Sequence, residues 1–255
     1  MFNLNTYLKF LSKNKLYTFV NVFGLSVSLM FVILIANYTI SEFTTDNFHE
    51  NAAQIYVLST EEYAGTAYRV GEKLSNRYPE IEKTCGVIAA LQNTTAKVLE
   101  KNVNVNGIAV DSTFLDMFSF KILRGDKNQM LQTKHDVIVS ESFARKMFGN
   151  NDPIGNNIVI RDSIVYTING VIEDFKNSMF MPQDIIMRVE NMDYYNPSAI
   201  NEGLNNAGAT TLFIQTTKGS NINARAAETE EYFKTFFWIK EGVGDTSLNT
   251  SGRPE

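Results

Sequence analysis

With 255 residues and a net charge of −5, the chain is long enough for one large or two small domains, and it lacks the basic stripe that nucleic acid demands. Hydrophobic residues make up 44% and aromatic residues 12%, which excludes a chain too polar to fold. A single cysteine, Cys85, excludes an intrachain disulfide framework, and two histidines, His49 and His135, exclude a His-rich metal site; both histidines read as surface residues.

Residues 1–15 place Leu4, Leu8 and Leu11 on one helical side and Lys9 and Lys13 elsewhere, the pattern of a short amphipathic segment at a membrane interface. From Leu16 to Ser41 no residue is charged. As a helix these 26 positions span about 39 Å, against a hydrocarbon core of about 30 Å. Lys9, Lys13 and Lys15 precede the run and Glu42 and Asp46 follow it, so the positive-inside bias puts the N-terminus in the cytoplasm. A cleaved signal peptide is the rival reading. Its apolar region is shorter, and Ala36-Asn37-Tyr38 is a poor cleavage site. Within the run, Asn21, Gly24 and Ser28 share one stripe, and Gly24 and Ser28 have the small-x-x-x-small spacing that lets a second helix approach closely. These three are the candidate helix-packing residues.

From residue 42 to about 240 the chain reads as mixed α and β. Strands are expected at 54–60, 84–91, 96–100, 103–111, 136–140, 157–161, 165–172 and 210–217, several of them alternating apolar with polar residues. Asn106-Gly107 and Asn169-Gly170 mark hairpin turns or bulges inside these runs. Helices are expected at 67–78, at 140–148 with Ser140 as N-cap and Gly149 as the stop, and at 223–237. Without a regular strand–helix alternation, the class is α+β: one N-terminal transmembrane helix followed by a mixed domain. Residues 190–209 read as a long loop or an excursion from the sheet, and 241–255 as a disordered tail.

Signatures of chemistry are missing. No phosphate-cradling glycine loop, nucleophile elbow or zinc-binding helix occurs, so neither a catalytic residue nor a cofactor or metal ligand is assigned. Ser140-Glu141-Ser142 reads as a strand-to-helix cap with an acidic first turn, not as a nucleophile. Asp111, Asp116 and Asp126 show no ligand spacing. Glu61-Glu62 reads as a solvated strand end, and Glu228, Glu230 and Glu231 as an exposed helix face.

Several stretches in order carry a family resemblance. Lys13-Asn14-Lys15 runs into Asn21-Val22-Phe23-Gly24-Leu25-Ser26. Asp46-Asn47-Phe48-His49 precedes Gln54-Ile55-Tyr56-Val57, and Tyr78-Pro79-Glu80-Ile81 follows. Val110-Asp111-Ser112-Thr113-Phe114 leads to Gly125-Asp126. Val137-Ile138-Val139-Ser140-Glu141-Ser142-Phe143-Ala144-Arg145-Lys146-Met147-Phe148-Gly149 is followed by Asp152-Pro153-Ile154-Gly155 and by Tyr166-Thr167-Ile168-Asn169-Gly170-Val171. Over roughly residues 10–180 the chain resembles MacB-like permease subunits of ABC transporters, a group that includes FtsX-like permeases. The resemblance implies a periplasmic core domain that receives ATP-driven motion and uses it to export or release substrate. Its implied partners are a cytoplasmic ABC ATPase subunit, a second permease copy and the lipid bilayer; the chain itself would not be an enzyme. Permeases of this group continue into three further spans, so these residues are expected to be one portion of such a subunit. A single-span sensor or adaptor is the alternative.

Overall fold

The computed structural model describes residues 13–46, 48–60, 65–161, 163–176, 178–201, 210–233 and 246–250. It divides into two units, residues 1–45 and 46–255. In the first unit Lys15–Thr44 forms a single α-helix (α1) whose side chains are all uncovered, including Leu25 and Ile35. A 30-residue helix that is apolar on every side and has no protein cover suits lipid, and is consistent with a single membrane span. The amphipathic segment expected before it falls mostly outside the described residues.

In the second unit, ten strands share one sheet. They are β1 (Ile55–Thr60), β2 (Ile81–Val98), β3 (Lys101–Val110), β4 (Ile122–Arg124), β5 (Asp136–Ser140), β6 (Asn157–Ile160), β7 (Ile164–Ile172), β8 (Ile185–Arg188), β9 (Thr211–Thr216) and β10 (Thr246–Thr250). Their order is β10-β1-β9-β2-β3-β8-β5-β7-β4, with β6 joining β2 to β7. That last pairing closes β2, β3, β8, β5, β7 and β6 into a ring, so the sheet is barrel-like. β3–β8 and β5–β7 are parallel and the other pairs antiparallel, which is the α+β class read from the sequence.

The pleat sends alternate side chains into different cores. Val137, Val139, Ile185 and Met187 join a cluster that draws on all six ring strands, together with Phe143 and Phe148. Ile138, Ile186, Ile108 and Val110 point the other way, into a cluster dominated by phenylalanine. Helix α2 (Val70–Arg77) covers the β1–β9 end with Val70 and Leu74 against Leu58, Leu212 and Ile214. Helix α3 (Phe114–Met117) contributes Phe114 and Met117 to the aromatic core. Helix α4 (Glu141–Phe148) begins as expected: the Ser140 hydroxyl accepts from the Phe143 amide, and Gly149 ends it with φ +61°. Short helices α5 (Met192–Tyr195) and α6 (Ser198–Asn201) occupy the Asn-rich excursion, and α7 (Ala226–Phe233) follows β9.

Several expectations are corrected. Strands 84–91 and 96–100 are one 18-residue strand, β2, kept continuous across two register shifts because partners flank it at both ends. Asn106-Gly107 lies inside β3 opposite one of those shifts. Of the two alternatives for Asn169-Gly170, the bulge is the one found: it lies inside β7, where one extra residue sits between the pairs Val137–Ile168 and Ile138–Gly170. The helix expected from residue 67 starts at Val70, because Ala67–Arg69 form a turn. Thr246–Thr250, in the stretch read as tail, pairs with the open edge of β1. Residues 234–237 of the last expected helix, and Glu61-Glu62, lie outside the described residues.

Two motif glycines make distinguishable demands. Gly125 has φ +95°, and a Cβ there would lie 2.5 Å from the Asn169 carbonyl oxygen. Gly155, in the Asp152–Gly155 turn, has φ +79° but open space around it. Left-handed backbone costs a non-glycine residue roughly 1–2 kcal/mol. Gly155→Ala should therefore cost about that much, and Gly125→Ala clearly more, in thermal unfolding of the full chain in detergent.

Candidate functional site

A buried polar site lies where the second unit begins. Asp46 is two residues beyond the end of α1, yet only 3% exposed, and its φ is +57°. Aspartate tolerates this left-handed conformation better than most residues, which lets the chain turn sharply. Its carboxylate is fully engaged. Ser178 Oγ donates to Oδ1 at 2.7 Å, and the Met179 amide donates to Oδ2 at 3.0 Å. His49 Nε2 stands 3.6 Å from Oδ1, an electrostatic contact longer than a hydrogen bond. Burial opposes the charge on Asp46, but His49, the Ser178 hydroxyl and the Met179 amide together outweigh it and hold the carboxyl below its usual value.

His49 corrects the surface reading, since only 4% of it is exposed. Its ring lies edge-on to Phe118 and Phe120, with centroids 5.1 Å from each, and 4.1 Å from Phe48. The Ser119 amide donates to Nδ1 at 3.0 Å, so the neutral ring carries its proton on Nε2, on the side facing Asp46. His135, by contrast, is exposed as expected.

Behind this clasp the aromatic core is continuous. Phe118 packs edge-on against Phe180 (5.1 Å) and Phe213 (5.0 Å), and Phe120 against Phe175 (4.8 Å). Phe180 follows Met179 directly, and Phe213 lies at the centre of β9. A displacement of Asp46 therefore meets the loop before β8, the segment after α3 and the sheet itself.

Several other polar groups are held by structural partners. Asp111 accepts from Tyr68 Oη at 2.5 Å and from the Gly86 amide at 2.7 Å; burial raises its carboxyl above the usual value. Tyr166 Oη donates to Asn191 Oδ1 at 3.0 Å and meets Tyr195 Oη at 2.8 Å, which ties the Asn-rich excursion to β7. Two open clefts, of about 390 and 320 Å³, are lined in part by charged groups that already have partners. In the larger, Arg145 pairs with Glu141 and Arg124 with Asp152. In the smaller, Asp174 accepts from the Ser142 amide and Asp184 from the Asn106 amide. Among the described residues no three His, Cys, Asp or Glu side chains gather as metal ligands would.

The residues singled out in α1 are all uncovered. Ser28 Oγ donates to the Gly24 carbonyl at 2.9 Å, and a Cβ at Gly24 would meet nothing within 4 Å. The stripe of Asn21, Gly24 and Ser28 is thus open to a neighbour. Sequence reasoning missed Ser178 and Met179, which lie 132 and 133 positions from Asp46. The usable signal was an aspartate and a histidine three apart, immediately after an apolar run and beside a phenylalanine.

An apolar helix consistent with a single membrane span leads into a barrel-like α+β domain. The chain belongs to the MacB-like periplasmic core domain family, whose model matches residues 18–232. Solved structures share the fold. A domain of a proposed permease protein from Porphyromonas gingivalis is 18% identical with a TM-score of 0.64, over 79% of this chain and 92% of that one. The periplasmic region of MacB from Actinobacillus actinomycetemcomitans is 12% identical with a TM-score of 0.55, over 78% and 90%. The extracellular domain of the noncanonic ABC-type transporter YknZ from Gram-positive bacteria is 16% identical with a TM-score of 0.52, over 76% and 98%. No curated protein matches the chain in sequence.

Removing the charge on Asp46 leaves two buried donors poorly satisfied, at a cost of about 1–3 kcal/mol. Asp46→Asn should lower full-chain stability by that order at neutral pH. Because the folded-state value lies below the unfolded reference of 3.8, the contribution is complete above about pH 4 and is lost as pH falls through the folded value. The gap between wild type and Asp46→Asn should therefore narrow in acid. A gap that stays constant from pH 7 to pH 3, in unfolding followed by circular dichroism, would contradict this assignment.

Proposed function

We propose that the chain is the N-terminal portion of a MacB/FtsX-like ABC transporter permease subunit, in which α1 carries ATP-driven movement to the extracytoplasmic domain for export or release of substrate. Membership of the family supports the general permease and mechanotransmission role. The observation that carries the reading is the Asp46 clasp. A helix that ended in a slack linker would dissipate movement, whereas here the second residue after the helix is bonded into the domain core. The ATPase is a separate cytoplasmic subunit, and a second permease copy completes the assembly. The lysines before α1 and the acidic residues after it support a cytoplasmic N-terminus.

Asn21, Gly24 and Ser28 form the face that meets other permease helices, because the missing side chain at Gly24 permits close backbone approach. Gly24→Leu should reduce crosslinking of α1 to its permease partners while insertion remains normal. Unchanged crosslinking would reduce α1 to a tether. Topology is tested by labelling in intact cells. A cysteine at Asn151 should react with an impermeant maleimide and one at Asn5 should not; the reverse pattern overturns the orientation.

A further inference from the structure

Most exposed apolar residues of the domain are scattered, as on any protein surface, but three gather at the Asp46 clasp. Phe48 is 40% exposed, Met179 40% and Met181 78%. Between the two methionines, Phe180 is buried in the aromatic core, with centroids 5.1 Å from Phe118 and 5.4 Å from Phe213. The loop is fixed as well as anchored. Ser178 Oγ accepts from the Phe180 amide while donating to Asp46, and Gln183 Nε2 donates to the Met181 carbonyl at 3.1 Å. With Phe180 held inward, Met179 and Met181 are held outward, where water offers them nothing.

Chain connectivity limits where this patch can be. Asp46 follows Thr44, the last residue of α1, by two positions, or about 7 Å of extended chain. The Met179 amide is 3.0 Å from the Asp46 carboxylate. The patch therefore cannot move far from the C-terminal end of α1, where the uncharged run gives way to Glu42, whatever the angle between helix and domain.

We propose that Met179, Met181 and Phe48 form a membrane-interfacial foot that dips into the headgroup–acyl boundary of the bilayer α1 crosses. Unbranched, polarizable methionine side chains fill the irregular space among lipid chains at little cost in fit. The foot makes the domain read the lipid surface at a second point besides the span. This rests on the reading of α1 as a membrane span.

The test uses the full chain, with Trp238→Phe to remove the native fluorophore, reconstituted in phosphatidylcholine vesicles. Met181→Trp should emit at shorter wavelength than in detergent-free buffer and lose intensity when the acyl chains are brominated near the headgroup end, more than when they are brominated near the methyl end. Phe31→Trp, in the middle of α1, should be quenched most by the deeper bromines. If Phe31→Trp is quenched while Met181→Trp keeps aqueous emission and is quenched by iodide, the foot is refuted and the span survives. If both stay aqueous, the span falls with it. Should Met181→Trp fail to fold, Met181→Cys carrying a small environment-sensitive dye gives the same two outcomes. A disulfide or short crosslink from Met181→Cys to a second copy, with the dye dry only in that species, would make the occupant protein and overturn the proposal.

Discussion

Everything in the domain depends on β2 being long enough to serve two structures at once. Its first residues, from Ile81 to Val87, pair with β9 and so belong to the β1–β9 extension. Its last, from Ala96 to Val98, pair with β6 and so close the ring. Strands of this length twist strongly, and an unbroken ladder would carry the two ends out of reach of their partners. The register shifts between Ala89 and Thr94 relieve that constraint by bending the strand, and Asn93, at φ +47°, sits in the bend with its amide donated to Asn106. Bulges, not a loop, thus join barrel and extension into one body.

That rigidity gives the Asp46 clasp its meaning. The carboxylate holds the loop of Ser178 and Met179, the loop inserts Phe180, and Phe180 touches Phe118 and Phe213. Phe213 belongs to β9 and Phe118 follows α3, so three distant parts of the chain meet behind one aspartate. Packed interiors do not deform continuously, so a push at this point moves the body as a whole.

Much of this was legible from residues alone, where local physics decides. The apolar run announced α1, the alternation Val103-Asn104-Val105-Asn106 announced β3, and Ser140 with Gly149 marked both ends of α4. Failures came where the determinant is remote or the local signal is atypical. β8 is a buried run of Ile185, Ile186 and Met187, too short and too uniformly apolar to show a period. The β2–β3 connection turns at Leu99 and Glu100, with φ of +50° and +52°, where an Asn-Gly pair is the usual sign. His49 is polar by type, and Phe118 and Phe120, some seventy positions away, help to bury it.

The same division explains how relatives 12–18% identical share the fold. Alternating apolar strands can be rebuilt with many side chains, so identity along them is free to drift. Positions where backbone shape is at stake leave less choice of residue. At Gly125 a methyl group would strike the Asn169 carbonyl, and that carbonyl belongs to the bulge that sets the register of β7 against β5. The stretches that carry the resemblance include such corners: Gly125-Asp126, Ser140 with Gly149, and Asp152 to Gly155. They mark how the chain turns, and the clasp at Asp46 belongs with them, as the corner at which an apolar helix becomes a folded domain.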